Sequence, residues 1–214
     1  MGNNKKGIAS FTHHYIPPVE AGQNGPTLLL LHGTGGDEND LLDLGRMIAP
    51  GVGLLSPRGN VLENGMPRFF RRLAEGVFDI PDLLQRTHEL ADFVEGASMT
   101  YGFDASNVVA VGFSNGANIA ASMLFLRPQT LAGAVLLHAM VPFVPEEMPN
   151  LTEKNVFVGA GRRDPIIPTR NTEQLVALLQ QAGANVEAHW HNGGHTITRE
   201  EVRDAKQWMD GFKA

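Results

Sequence analysis

The sequence predicts an α/β fold with a mainly parallel central sheet and helices on both faces. Short apolar runs of strand length alternate with longer segments of helical spacing. Several of the runs, such as Leu28–Leu31 and Val108–Val111, are apolar throughout, as strands covered on both faces must be. In chain order the strand-like runs are 27–32, 52–56, 108–112, 133–138, 155–159 and 186–190. The helical segments are 38–48, 80–101, 115–126, 171–182 and 198–213. The last helix has a readable start: Thr198 followed by Glu201 forms a capping box, after an Asn192-Gly193-Gly194 turn. Only the stretch 58–78 lacks clean periodicity, and a connection of that length is often a functional loop.

Composition sets the limits. No repeat or Pro/Gly/Ser linker divides the 214 residues, which predicts a single domain over 1–214, with 1–14 as a flexible N-terminal extension. Hydrophobic residues at 43% and charged residues at 19% argue for a packed globule over disorder. The absence of cysteine excludes a disulfide framework, a thiolate zinc site, an iron–sulfur cluster and a cysteine nucleophile. A net charge of −6 argues against a nucleic-acid partner. The longest aliphatic run is far short of the about 20 residues needed to cross a bilayer, so no membrane insertion is expected. The N-terminus has no apolar stretch of a secretory signal, and Lys6 stands where myristoylation calls for Ser or Thr. A cytoplasmic protein is the expectation.

In open parallel sheets ligands sit beyond the carboxyl ends of the strands. There lies Gly112-Phe113-Ser114-Asn115-Gly116, a G-x-S-x-G turn between a strand and a helix. Such a turn strains the serine and exposes its hydroxyl at the helix N-terminus, while the flanking small residues let backbone approach closely. The alternative is a serine that merely caps a buried helix. In the α/β-hydrolase order the acid follows the serine and the histidine comes last. Downstream of Ser114, Asp164 is the acid immediately after a strand-like run, and Pro165 and Pro168 keep its loop out of helix. The competing role for Asp164 is a pair with Arg162 or Arg163. Of eight histidines, His195 alone follows the last strand in a glycine loop and precedes the terminal helix; structural roles are expected for the other seven. The loop His32-Gly33-Thr34-Gly35-Gly36 suits an oxyanion hole built from the N–H groups of Thr34 and Asn115. Its glycines lack the spacing of a dinucleotide or phosphate loop.

Within 58–78, Met66, Phe69 and Phe70 are candidates for an aryl or short-acyl pocket, with Arg68 meeting a substrate carboxylate or phenolate. Equally open is a purely structural reading, in which the phenylalanines anchor the loop and the arginines bond backbone or acids. Met140 is a further candidate wall. His189, His191 and His195 have no evident carboxylate partner, so neither a metal nor any cofactor is expected.

The segments LLLLHGTGG, GFSNGANIAA, GAGRRDP and the GGH before the final helix resemble the phospholipase/carboxylesterase branch of the α/β-hydrolases, which includes acyl-protein thioesterase-like enzymes. Within that branch, VLENGMPRFFRRLAEGVFD is similar to bacterial esterases associated with hydroquinone stress. The resemblance runs from about residue 15 to the end of the chain. It implies a small hydrolase without a cap domain, often a homodimer, acting on carboxylic esters or thioesters. It names Ser114, Asp164 and His195 as a catalytic triad and Thr34 and Asn115 as oxyanion donors. The neighbouring dienelactone hydrolases use a cysteine nucleophile, which this chain lacks. The expected function is a serine carboxylesterase acting on small-molecule esters, aryl esters among them, through an acyl-enzyme. The alternatives are a thioesterase or lysophospholipase-like hydrolase, a peptidase, or a non-catalytic binding protein on the same scaffold.

Overall fold

The computed structural model describes residues 10–20 and 25–212. Seven strands form the central sheet: β1 (His13–Ile16), β2 (Thr27–Leu31), β3 (Gly53–Pro57), β8 (Val108–Phe113), β9 (Gly133–Leu137), β10 (Asn155–Gly161) and β11 (Asn185–His191). Their spatial order is β1-β3-β2-β8-β9-β10-β11. Every neighbouring pair is parallel except β1 with β3. The helices are α1 (Leu42–Ile48), α2 (Ile80–Tyr101), α3 (Asn115–Leu126), α4 (Thr169–Gln181) and α5 (Arg199–Gly211).

Alternation along the central strands divides the core in two. Leu29, Leu31, Val108 and Ala110 face a layer built from α2, α3 and α4. Leu28, Leu30, Val109 and Val111 face a smaller layer with α1 and α5, including Leu44, Ile48, Ala205 and Trp208. Both faces being covered explains why these strands read as unbroken apolar runs. None of the described helices is long and apolar enough to cross a membrane.

The structure departs from expectation in several places. The first helix begins at Leu42 rather than near residue 38, because Asp37 Oδ1 accepts the Asn39 N–H and holds the preceding residues in a turn. His13 and His14, expected within a flexible extension over 1–14, instead open β1, paired antiparallel with β3; residues 1–9 of that expected extension lie outside the described part. The stretch 58–78 folds into two hairpins, β4 (Val61–Glu63) with β5 (Met66–Arg68) and β6 (Arg72–Ala74) with β7 (Val77–Phe78). Asn64 and Gly65, both at positive φ (52° and 80°), make the first turn. The run expected over 133–138 ends one residue early, since His138 leaves the strand at φ 53°.

Candidate active site

Chain order places β3 to one side of β2 and β8 to the other, which opens a crevice between the carboxyl ends of β2 and β8. The register pairs Leu31 with Gly112, so the loop after β2 and the turn after β8 emerge side by side. That turn is tight for a reason visible in its glycines. A Cβ on Gly112 would lie 2.6 Å from the backbone of Ala117, and one on Gly116 would overlap the Leu31 carbonyl oxygen. Between them Ser114 sits at φ 53°, ψ −114°, a strained conformation held because both flanking elements are fixed in the core.

Three side chains distant in sequence meet above this turn. Ser114 Oγ lies 2.9 Å from His195 Nε2. His195 Nδ1 lies 2.7 Å from Asp164 Oδ2, with its N–H donating to the carboxylate. Asp164 Oδ1 accepts the backbone N–H groups of Ile166 and Ile167 at 2.8 and 3.0 Å, which fixes the carboxylate. Burial works against its ionised form, but these bonds and those from His138 and His195 outweigh it, so its pKa falls below the usual aspartate value. Asp164 is thus ionised and turned toward the imidazole. Among the described residues, no side-chain pair joins it to Arg162 or Arg163. A hydroxyl bonded to an imidazole whose second nitrogen is bonded to a carboxylate can lose its proton as the oxygen attacks a carbonyl.

Thr34 and Asn115 border the same cleft as Ser114 and His195. As the first residue of α3, Asn115 has an N–H that the helix leaves unpaired. Its side-chain Oδ1 accepts the Phe69 N–H at 2.8 Å. The loop carrying Thr34 is held from several directions. The Gly35 N–H donates to the Pro67 carbonyl (2.9 Å), and the Gly36 N–H closes back on Gly33 (3.1 Å). His32 accepts the Gly59 N–H at Nε2 and donates from Nδ1 to the Gly33 carbonyl, which fixes a neutral tautomer. Burial pushes the pKa of His32 down, in keeping with that role.

The cleft measures about 360 Å³. Its apolar walls come from Phe78, Phe113, Met140, Ile166 and Ile167. The Met140 N–H donates to Asn118 Oδ1 at 2.7 Å, which sets that wall. Met140 thus lies where the sequence suggested, but three other expected wall residues do not. Phe69 and Phe70 are buried in the core, 2% and 0% exposed, because the bend between the two hairpins turns both side chains into the apolar cluster that includes Leu83, Leu90 and Phe93 of α2. Met66 is exposed and packs beside Gly35 outside the cleft. Arg68 borders the cleft but is itself only 3% exposed, with its guanidinium committed to protein partners. It donates from Nη1 to Thr34 Oγ1 (2.6 Å) and from Nε to the Phe70 carbonyl (3.2 Å), and lies 3.3 Å from Glu63. Of the two readings open for Arg68, a receptor for a substrate anion or a structural tie to backbone and acids, its contacts match the second: it is an internal strut of the loop that carries Thr34.

Sequence reasoning missed a second partner of Asp164. His138 Nδ1 lies 2.9 Å from the same Oδ2 that serves His195, and His138 Nε2 lies 3.2 Å from Glu201 Oε1. Glu201 also approaches His191 Nε2 at 3.1 Å and accepts the Thr198 N–H as the cap of α5. Histidines and carboxylates grouped this way invite a test for metal. The clusters His138, Asp164, His195 and His138, His191, Glu201 each have donor atoms within metal-binding reach. In the first, both Nδ1 atoms bear hydrogens donated to Asp164. In the second, His191 Nδ1 accepts the Gly193 N–H at 2.9 Å, so its Nε2 bears the hydrogen and has no lone pair for an ion. Neither cluster therefore presents a full set of free lone pairs to an ion in this arrangement.

Comparison with known proteins shows the family. The model of the phospholipase/carboxylesterase family matches residues 18–212. The chain belongs to that family. Among its relatives, MhqD of Bacillus subtilis (strain 168), named as a hydrolase, is 51% identical over 189 residues, covering 88% of this chain and 94% of MhqD. The Bacillus cereus carboxylesterase superposes with a TM-score of 0.93 at 50% identity, covering 98% of this chain and 99% of that one. Acyl-protein thioesterase 1 of Debaryomyces hansenii is 27% identical over 139 residues, 62% of this chain and 60% of the thioesterase. This member of the phospholipase/carboxylesterase family is an esterase-type hydrolase with the α/β-hydrolase fold.

Proposed function

We propose that the protein is a serine esterase that cleaves small carboxylic esters, aryl esters among them, through an acyl-enzyme on Ser114. The observation that carries this reading is the unbroken chain from Ser114 Oγ through His195 to Asp164 at a strained strand-to-helix turn. Ser114 Oγ attacks the ester carbonyl carbon while His195 Nε2 takes its proton. The carbonyl oxygen becomes an oxyanion held by the N–H groups of Thr34 and Asn115, and Asp164 balances the imidazolium. Collapse of the tetrahedral intermediate expels the alcohol or phenol, which receives the proton from His195. Water then repeats the sequence against the acyl group, with His195 again the base, and releases the carboxylic acid and free Ser114. No step calls for a cofactor. A cleft at the lower end of the usual range of ligand sites, with apolar walls, favours a compact acyl and leaving group.

The test is labelling by a fluorophosphonate and turnover of p-nitrophenyl acetate, with Ser114→Ala as the comparison. Wild type should be labelled and active. Ser114→Ala should lose both and keep a melting temperature close to wild type; residual turnover by the variant at the wild-type rate would overturn the assignment. The similarity to acyl-protein thioesterase 1 favours a second reading, in which the same groups expel a thiolate. A matched ester and thioester pair separates the two by the ratio of kcat/KM.

A further inference from the structure

Two residues with side chains beyond Cβ and left-handed backbone stand at the carboxyl ends of adjacent strands: Ser114 after β8 and His138 after β9, both at φ 53°. The first is explained by the turn it occupies. His138 has no place in the reaction described above, yet its backbone is strained and its side chain is fully buried. Its main-chain N–H is tied to the Gly159 carbonyl at 2.8 Å. This fixes the imidazole between two carboxylates from different elements, Asp164 after β10 and Glu201 on α5. Both ring nitrogens therefore face anionic oxygen, and neither faces a donor.

We propose that His138 is a positioning residue of the active site, an imidazolium clamped between Asp164 and Glu201 that holds the Asp164 carboxylate in place for His195. The charges fit this arrangement. Asp164 and Glu201 are anions, and both have pKa values held below their ordinary range by hydrogen bonds that outweigh burial. The other groups facing His138 are His191 from β11 and His195 from the loop before α5, with ring centroids 5.5 and 5.1 Å away. His191 is a neutral tautomer, its Nδ1 taken by Gly193. His195 must be neutral to act as a base. His138 is left as the cation of the cluster. Burial opposes its charge, but Glu201 and Asp164 together raise its pKa above the ordinary value. Phe113 packs edge-on against the ring and shields it from the cleft. His138 does not border the cleft, so it acts through Asp164 and not on the substrate.

The inference rests on the serine-esterase reading, and its test separates the two. Nitrogen NMR of the full-length protein with labelled histidine should show both ring nitrogens of His138 protonated, with a midpoint above about 6.5, the ordinary imidazole value. In the same preparation, wild-type kcat should fall on the alkaline side at that midpoint, as the clamp loses its proton. His138→Gln should lower kcat about tenfold or more with KM within about twofold, the pattern of lost orientation. It should also lose that alkaline limb while still being labelled by the fluorophosphonate. A lone pair on either ring nitrogen of His138 below its midpoint would overturn the proposal, as would a kcat that runs flat through the midpoint. If His138→Gln does not fold, the wild-type titration and kcat profile decide on their own. Loss of labelling in wild type itself would instead sink the serine-esterase reading.

Discussion

Arg68 shows how a single side chain can change meaning between sequence and structure. A basic residue beside two phenylalanines in a long connection reads equally as an anion receptor or as a structural tie. Its burial and its bond to Thr34 Oγ1 make it a brace of the loop that carries Thr34. Arg68→Met should therefore lower kcat for neutral and anionic esters alike, by up to about 100-fold if the loop shifts by about 1 Å. Matched neutral and anionic p-nitrophenyl esters check this; a loss confined to anionic esters would restore the receptor role. At this scale Ser114, Asp164 and His195 were legible because each lies immediately after a strand-like run and in a fixed chain order. His138 and Glu201 were not. His138 also ends a strand, but an imidazole there carries no pattern of its own, and Glu201 was already accounted for by its capping box with Thr198. Only the fold brings β9, α5 and the β10–α4 loop to one point. Phe113, Ile166 and Ile167 were equally silent, although each lies next to a residue the motifs single out.

Among the elements, the strands and long helices were legible wherever a burial pattern dictates periodicity, and β8 and α3 follow it closely. The hairpins over 58–78 were not, because strands of two or three residues are too short to show alternation. The one usable signal was the Asn64-Gly65 pair, whose backbone suits a tight reverse turn. Element packing also carries its own prediction. The N-terminus of α3 lies directly against the end of β2, and the missing Cβ of Gly116 makes this possible. Because the obstructing atom is backbone of a fully buried strand, it cannot rotate away. Gly116→Ala should cost about 1–3 kcal/mol or more, as overpacking does. At about 2–4 °C per kcal/mol for a chain of this size, the melting temperature should drop by several degrees. Calorimetry checks it, and an unchanged melting temperature would show that β2 and α3 can separate without loss.

For the molecule as a whole, the buried charge cluster at the centre of the site should shape stability against pH. Asp164 and Glu201 have lowered pKa values, so their contribution is present above the ordinary carboxylate values of about 4 and is lost as pH falls through the folded values. His138 has a raised pKa, so its contribution is complete below about 6.5 and is lost as pH rises through its folded value. Stability should therefore peak between about pH 4.5 and 6.5. Melting temperatures measured across that range test it, and a peak well above neutrality would contradict the signs. The two-layer architecture was legible in outline, since apolar runs imply cover on both faces. The division of helices between those faces was not, because it depends on the crossovers between strands.

The bonds from the Gly35 N–H to the Pro67 carbonyl and from Arg68 to Thr34 tie the hairpin segment to the loop proposed to hold the oxyanion. On the proposed mechanism, transplanting 58–78 from a relative to change selectivity would thus also retune turnover, because the graft replaces struts of the Thr34 loop along with the wall residue Phe78. Redesign of this enzyme is better confined to Met140, Ile166 and Ile167, which border the same space without bearing on that loop.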